Sequence, residues 1–434
     1  MTSGMVTIIV FLLLFALLGL RAPIAIALSL VSILGIAMLR GTGTAWSAMA
    51  AIPYDFAAHW SLSAIPLFLL MGAIAYHGGL TTTLFAAARV WLSWMPGGLA
   101  VAANAASTMF SAASGSSMAT AAAMTRLAVP EMLKRGYDPG LSTGVIAASG
   151  TIGAMIPPSI AFVIYGWYTE TPVGKLLIAG ILPGLLTAAC YMGLIIVRVK
   201  LNPALAPAVT ERYGWGERFR MLAGIWPVPL LIFSVIGSIY TGFATATESA
   251  ALGAIATFVL CLIRRSLDWT AFKAALADSL RASATIFFIA LGAALFTRFL
   301  ALGGVPMHMA EVVNAFDPNP LTIILVMIVL YLVIGMFLDP IGIMLITLPV
   351  LLPAFKAVGL DLVWMGVLVV KMIEIGLLTP PVGLNIYVVK SVIGDQVPLG
   401  TIFKGAAWFL LAEVFIVALL IAFPSISLFL PSLM

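Results

Sequence analysis

Residues 130–158 read PEMLKRGYDPGLSTGVIAASGTIGAMIPP, and residues 353–381 read PAFKAVGLDLVWMGVLVVKMIEIGLLTPP. The second stretch follows the first at a constant spacing of 223 positions, without a gap. Pro130, Gly136, Asp138, Gly153, Pro157 and Pro158 fall on Pro353, Gly359, Asp361, Gly376, Pro380 and Pro381. Proline, glycine and aspartate are poor helix residues, so an apolar composition does not generate this shared pattern. Each stretch ends by breaking an apolar segment at a Pro-Pro pair. The chain is therefore read as two repeats.

The surroundings say what kind of repeat it is. Of 434 residues, 63% are hydrophobic and only 9% charged, with a mean hydropathy of +1.18. Apolar runs near the length of a membrane crossing recur along the chain, which excludes a soluble domain. The runs are continuous rather than alternating, which excludes a barrel. The net charge of +5 needs no nucleic acid, because excess Lys and Arg belongs on the cytoplasmic loops of any inner-membrane protein. Cys190 and Cys261 both sit in apolar runs and read as core residues. His59, His77 and His308 share no metal-ligand spacing. The first cation, Arg21, follows the first apolar run. This predicts an uncleaved N-terminus outside the cytoplasm.

The expected fold is an all-α polytopic membrane protein of about ten spans plus two re-entrant hairpins. Spans are read at 5–20, 22–39, 62–76, 141–168, 174–199, 220–240, 249–263, 284–301, 362–393 and 405–430. The stretches 97–129 and 320–353 are long enough to enter and return. Their centres are Ser114-Gly115-Ser116-Ser117 and Asp339-Pro340. Backbone exposed at such tips is tolerated at membrane depth only against protein or a water-filled cavity. Stretches 45–60 and 268–283 read as interfacial helices, and 200–219 is the polar loop joining the halves. Scaffold is assigned to 1–60, 174–283 and 405–434, and the elements around the hairpins to 61–173 and 284–404.

Charge sets the topology. Arg126, Lys134 and Arg135, then Arg198, Lys200, Arg212, Arg218 and Arg220, then Arg264 and Arg265 can all be cytoplasmic with this span count. The second hairpin is flanked by Glu311, Asp317 and Lys356, which places it on the other face. The repeats are thus expected to be inverted, the arrangement from which alternating access is built.

The two breaks are Ile152-Gly153-Ala154-Met155-Ile156-Pro157-Pro158-Ser159 and Ile375-Gly376-Leu377-Leu378-Thr379-Pro380-Pro381-Val382-Gly383. A proline removes a donor and clashes with the preceding turn, and the residue before it leaves the helical region. The freed carbonyls would cost several kcal/mol each in lipid, and a hard cation ringed by oxygens removes that cost. The tips add oxygens: Ser114, Ser116, Ser117 and Thr120 at the first, Asp339 at the second with Thr379 of the break. Half-helix N-termini beyond the breaks suit an anion. Lys371 and Glu374, three apart, read as an intrahelical ion pair, with substrate or proton contact as the alternative. Glu248, Asp138 and Asp361 read as helix caps.

These motifs, with Lys134-Arg135-Gly136-Tyr137-Asp138-Pro139, Thr245-Ala246-Thr247-Glu248 and Thr379-Pro380-Pro381-Val382-Gly383-Leu384-Asn385, resemble the large membrane subunit of tripartite ATP-independent periplasmic (TRAP) transporters over the whole chain. The resemblance implies an elevator fold of the ion-transporter superfamily in a bacterial or archaeal inner membrane. It implies uptake of a small organic acid coupled to two or more sodium ions, without an organic cofactor or an enzymatic activity. It implies two partners, a small four-helix membrane subunit and a periplasmic substrate-binding protein. Carried over by position, one sodium site uses Ser114, Ser116 and Ser117 with Gly153, Ile156 and Pro157. The other uses Asp339 with Gly376, Thr379 and Pro380. Substrate would lie near Thr120, Ser159, Gly383 and Asn385. Thr120 departs from the acidic residue that many members carry there.

Three other readings compete. A stand-alone divalent-anion/sodium symporter would work without partners. An intramembrane aspartyl protease could use Asp339 and Asp361, but the chain has no Gly-x-Gly-Asp run. A passive channel would lack alternating tips.

Overall fold

The computed structural model describes residues 2–207, 213–316 and 319–434. Arg212 and Asp317, both used in the charge reading, lie outside the described residues. Every regular element among the described residues is helical. The first half contains α1 (Ser3–Gly19), α2 (Ile24–Arg40), α3 (Thr42–Ala57), α4 (Ala64–His77), α5 (Leu80–Leu92), α6 (Gly98–Ser114), α7 (Ser117–Lys134), α8 (Pro139–Gly150), α9 (Ile160–Thr169), α10 (Val173–Ala179) and α11 (Ile181–Leu201). The second contains α12 (Trp215–Gly224), α13 (Pro227–Ile232), α14 (Ser238–Tyr240), α15 (Ala246–Ile263), α16 (Trp269–Leu302), α17 (Val305–Phe316), α18 (Pro320–Gly335), α19 (Pro340–Ala357), α20 (Leu362–Gly376), α21 (Leu384–Ile393), α22 (Leu399–Ala422) and the closing turn α23 (Ser425–Leu428).

The repeat is built as the sequence spacing predicts. Ser116 caps α7 by accepting from the Ala119 amide, and Asp339, its counterpart, caps α19 by accepting from Ile341 and Gly342. Asp138 and Asp361 cap α8 and α20 in the same way. Such caps satisfy amides that the first helical turn leaves without partners. Gly136 and Gly359 turn the chain between these helices at φ of +76° and +68°, where a side chain is disfavoured. Both Pro-Pro bonds are cis. Thr245 and Glu248 form a reciprocal capping box at the start of α15, so Glu248 has the capping role expected of it.

Three features differ from the sequence reading. First, α5 and α17 are helices that it left unassigned. Each follows a Gly-Gly pair whose second member, Gly79 or Gly304, has positive φ. Both are amphipathic, with Thr82 and Arg89 on one and His308 and Glu311 on the other, so they carry no long apolar run to flag them.

Second, the expected interfacial helix 268–283 and span 284–301 are one uninterrupted helix, α16, of 34 residues. The segment holds no proline, whereas α3 and α4 contain Pro53 and Pro66 and are separated near His59. At 1.5 Å per residue α16 is about 51 Å long, well beyond a hydrocarbon core of about 30 Å. Lys273, Asp278 and Arg281 lie in its first half, so the charged end projects from the apolar layer as a continuation of the span.

Third, among the described residues only six helices are long and apolar enough to cross a membrane, or seven if Trp215–Gly224 and the bent Pro227–Tyr240 count as one. The sequence count of about ten is higher because α1 and α2 have 17 residues each and the broken spans are split into short pieces. Leu12, Ile26, Phe233, Val329 and Val414 remain exposed on the outer faces, as expected for a surface solvated by lipid rather than water.

Two contacts fix the interior. Helices α8 and α22 meet through glycines: a Cβ on Gly144 would lie 2.5 Å from the Gly405 carbonyl carbon, and one on Gly405 would overlap the Gly140 carbonyl. Close backbone approach through small residues is the usual means of packing membrane helices. A buried polar network then joins α11, α20 and α22. Lys371 Nζ donates to Glu413 Oε1 at 2.7 Å and to Thr187 Oγ1 at 2.9 Å, and the Tyr191 hydroxyl donates to the same Glu413 oxygen.

Candidate functional site: a cavity between two hairpin tips

Each hairpin tip packs on the broken helix of its own repeat. In the first, a Cβ placed on Gly153 would lie 3.0 Å from the Ser116 carbonyl, and one on Gly115 would lie 2.5 Å from the carbonyl oxygen of Pro158. In the second, a Cβ on Gly376 would lie 2.8 Å from Gly335 Cα. Glycine is required at these positions because two backbones touch there. The pairing of tip and break expected from sequence is therefore present in both halves. In the second, Gly335 rather than Asp339 meets the break.

The two tips border one cavity of about 410 Å³. Gly115, Ser116 and Ser117 form one side, and Asp339, Pro340 and Ile341 another. Leu69 of α4 and Ala282, Thr285, Ile286 and Ile289 of α16 close the third, and Glu374 of α20 lies on the wall. A second cavity of about 320 Å³ shares Leu69, Ser116 and Ala282 with the first and extends between α4, α6, α7 and α16. At its far end Arg126 donates to the Tyr76 hydroxyl at 2.6 Å, and His77 Nε2 lies 2.9 Å from Asp278. A route thus runs from the tips toward the end of the molecule that carries Arg126.

The proposed ligands are distributed unevenly around this space. Ser116, Ser117 and Asp339 face it. Ser114 lies on the second cavity, and its hydroxyl is 2.7 Å from that of Thr120. Gly153, Ile156 and Pro157 form the first break behind the tip. Thr379 bonds to the Ile375 carbonyl at 2.7 Å, and Pro380 follows it in the second break. The Asp339 carboxylate accepts the amides of Ile341 and Gly342 at 3.2 and 3.0 Å, and no hydrogen bond to 376–380 is present among the described residues.

None of the four residues read as substrate contacts lines the cavity between the tips. Thr120 is buried and engaged with Ser114 inside the hairpin. Ser159 is buried as the cap of α9, donating to the Ala154 carbonyl at 2.5 Å and accepting from the Phe162 amide. Gly383 begins α21 at φ +61° and faces Phe403. Asn385 is buried against the first repeat, donating to the Ala147 carbonyl at 3.3 Å. Ser159, Gly383 and Asn385 stand at helix starts and Thr120 inside a hairpin, so none of the four borders the cavity.

The Lys371–Glu374 ion pair is corrected as well. Lys371 turns to Glu413 and Thr187 instead. Glu413 was missed by the sequence reading because it lies 42 residues away. The available signal was an isolated carboxylate in an otherwise apolar run, which requires a buried partner.

Two facing hairpins, each seated on a broken helix and sharing a cavity with helices outside them, define a secondary-transporter architecture. The solved YdaH transporter of Alcanivorax borkumensis has a similar fold, at a TM-score of 0.67 and 14% identity, covering 88% of this chain and 89% of that one. Residues 11–426 match the family described as tripartite ATP-independent periplasmic transporter, DctM component. The chain belongs to this family, as a multi-pass large permease subunit and not an enzyme. It is 37% identical to the C4-dicarboxylate TRAP transporter large permease protein DctM of Pseudomonas aeruginosa, over 87% of this chain and 88% of that protein. It is 33% identical to the ectoine TRAP transporter large permease protein TeaC of Halomonas elongata, over 86% of each.

Proposed function

We propose that this subunit carries a small organic acid anion inward across a bacterial or archaeal inner membrane, coupled to at least two sodium ions, by an elevator movement. The observation that carries the reading is the cavity bordered by both hairpin tips on one side and by α4 and α16 on the other. A substrate held there is gripped by one set of helices and exposed by sliding against another. The ions take the carbonyls freed at the two breaks with the tip oxygens, Ser114, Ser116 and Ser117 with Gly153, Ile156 and Pro157, and Asp339 with Gly376, Thr379 and Pro380. Among the substrate residues read from sequence, Thr120, Ser159, Gly383 and Asn385 act behind the tips rather than on the substrate. The relatives named for C4-dicarboxylate and ectoine support a small organic acid or zwitterion. A small four-helix membrane subunit widens the fixed part, and a periplasmic binding protein delivers the substrate.

The packing supports a particular division between moving and fixed parts. The sequence boundaries place α11 and α22 in the scaffold, and one of them, 283/284, falls inside α16. Yet Lys371 of α20 is 1% exposed and paired with Glu413 of α22 and Thr187 of α11. Parting such a pair costs roughly 3–5 kcal/mol, so α11 and α22 travel with α20. The moving unit is then α6–α9, α11 and α18–α22, and α1–α4 with α15 and α16 stay fixed. With Arg126 read as cytoplasmic, the route through the second cavity supports an inward-facing state.

Reconstitution tests the whole reading. Uptake into proteoliposomes should need an inward sodium gradient, the small subunit and the loaded binding protein. Sodium-driven uptake by this chain alone would overturn it in favour of a stand-alone symporter.

A further inference from the structure

Glu374 is a buried carboxylate, 2% exposed, on the wall of the cavity between the tips. Its Oε2 makes no hydrogen bond to any described residue. The Ser117 hydroxyl of the first tip faces the carboxylate. The neighbouring cation is spoken for, because Lys371 spends its ammonium on Glu413 and Thr187, which leaves that pair neutral. Asp339, on the same cavity, has its charge met by two amides at the start of α19. No Lys, Arg or His lines the cavity among the described residues. Glu374 is thus the one carboxylate there without a compensating group, in a space with room for an ion and its water.

We propose that Glu374, with the Ser117 hydroxyl, forms a further monovalent-cation site in the cavity between the hairpins, one that shares Ser117 with the site at the first helix break but takes its own carboxylate from the second repeat. Carboxylate, hydroxyl and water oxygens are the ligand set that hard cations take. A sodium ion here neutralises the wall that an anionic substrate must approach. It also bridges the first tip (Ser117) to the broken span of the second repeat (Glu374), so it is bound most firmly when tip and span are together. This inference rests on the sodium-coupled reading above.

Equilibrium dialysis of the purified full chain against radioactive sodium, in choline chloride, counts the ions. Glu374→Gln should bind one ion fewer than wild type, and Glu374→Asp should bind one ion at least tenfold more weakly. An unchanged count and affinity in folded variants would overturn the site and leave the carboxyl neutralised by a proton. Infrared spectra of wild-type protein labelled with ¹³C-glutamate give a reading that no variant can spoil. Sodium should shift a labelled carboxylate band, and the absence of any shift would overturn the site. A shift with methylammonium but not sodium would also overturn it, because the oxygen would then receive an organic nitrogen. Ser116→Ala and Asp339→Ala are counted in parallel. If they lose ions while Glu374→Gln does not, only this inference falls; if wild type binds no sodium, the coupled transport reading falls with it.

Discussion

The two halves share a frame and differ in charge. At the spacing of 223, Ala148, Thr151 and Cys190 of the first half stand where Lys371, Glu374 and Glu413 stand in the second. Ser116 caps α7 where Asp339 caps α19. The first half satisfies its tip and break with hydroxyls and backbone: Ser114 with Thr120, Ser159 with Ala154. The second places charged groups at the same depth and must neutralise each of them. It does so with a cross-helix ion pair for Lys371 and Glu413, with a helix start for Asp339 and, on our proposal, with a bound cation for Glu374. Duplication therefore conserved the positions where the chain bends and let the chemistry at those positions diverge.

The largest expected effect lies in the charged half. Lys371→Met leaves Glu413 buried without its cation and should lower stability by about 3–5 kcal/mol. Lys371→Met with Glu413→Leu should recover most of that loss, as followed by thermal unfolding in detergent. If the double variant is no better than the single one, the pair is not what joins α20 to α22. The glycine contact is also confined to one half, since Leu182 occupies the counterpart position of Gly405. Gly405→Ala drives a methyl into the Gly140 carbonyl and should cost roughly 1–3 kcal/mol by overpacking, whereas Leu182→Ala should not force α8 and α22 apart. Equal losses would show that the two interfaces are equivalent after all.

The breaks test the shared frame. Pro157→Ala with Pro158→Ala restores two donors and removes the ring clashes, so the turn can rewind and withdraw its carbonyls. Reconstituted uptake should fall about tenfold, equivalent to about 1.4 kcal/mol, and Pro380→Ala with Pro381→Ala should do the same. Wild-type uptake in either would separate the two breaks in function. The smallest effect is at the caps: Ser116→Ala and Asp339→Ala should each cost about 1 kcal/mol of stability. The sodium dependence of uptake should weaken in both, and more in Asp339→Ala, which also loses a charge.

Much of this was legible in the sequence. Pro, Gly and Asp mark bends and caps through local backbone physics, so the hairpins, the breaks and the caps Asp138, Asp361 and Glu248 could be placed from residue types alone. What stayed hidden depends on tertiary partners. Lys371 and Glu374 have ideal spacing for a pair along one helix, but a lysine side chain is long enough to choose a neighbouring helix, and Glu413 offers a better-buried partner. Thr120, Ser159 and Asn385 are the polar residues expected of a binding site. In place, Thr120 bonds to Ser114 inside its own hairpin, Ser159 caps α9, and Asn385 donates across the repeats to Ala147, with its amide oxygen unpartnered among the described residues. Helices α5 and α17 escaped because, at 13 and 12 residues with polar side chains interspersed, neither carries a long apolar run to announce it.

The contrast between α16 and its first-half counterpart has a mechanical consequence. Residues 58–63 interrupt the hydrogen-bond ladder between α3 and α4, whereas the ladder runs unbroken from Trp269 to Leu302. A jointed member yields at its joint under load, and a continuous one transmits force along its length. If the hairpins slide against both, α16 acts as the rail that sets the direction of travel, and the α3–α4 joint is where the wall has the compliance to let the cargo pass.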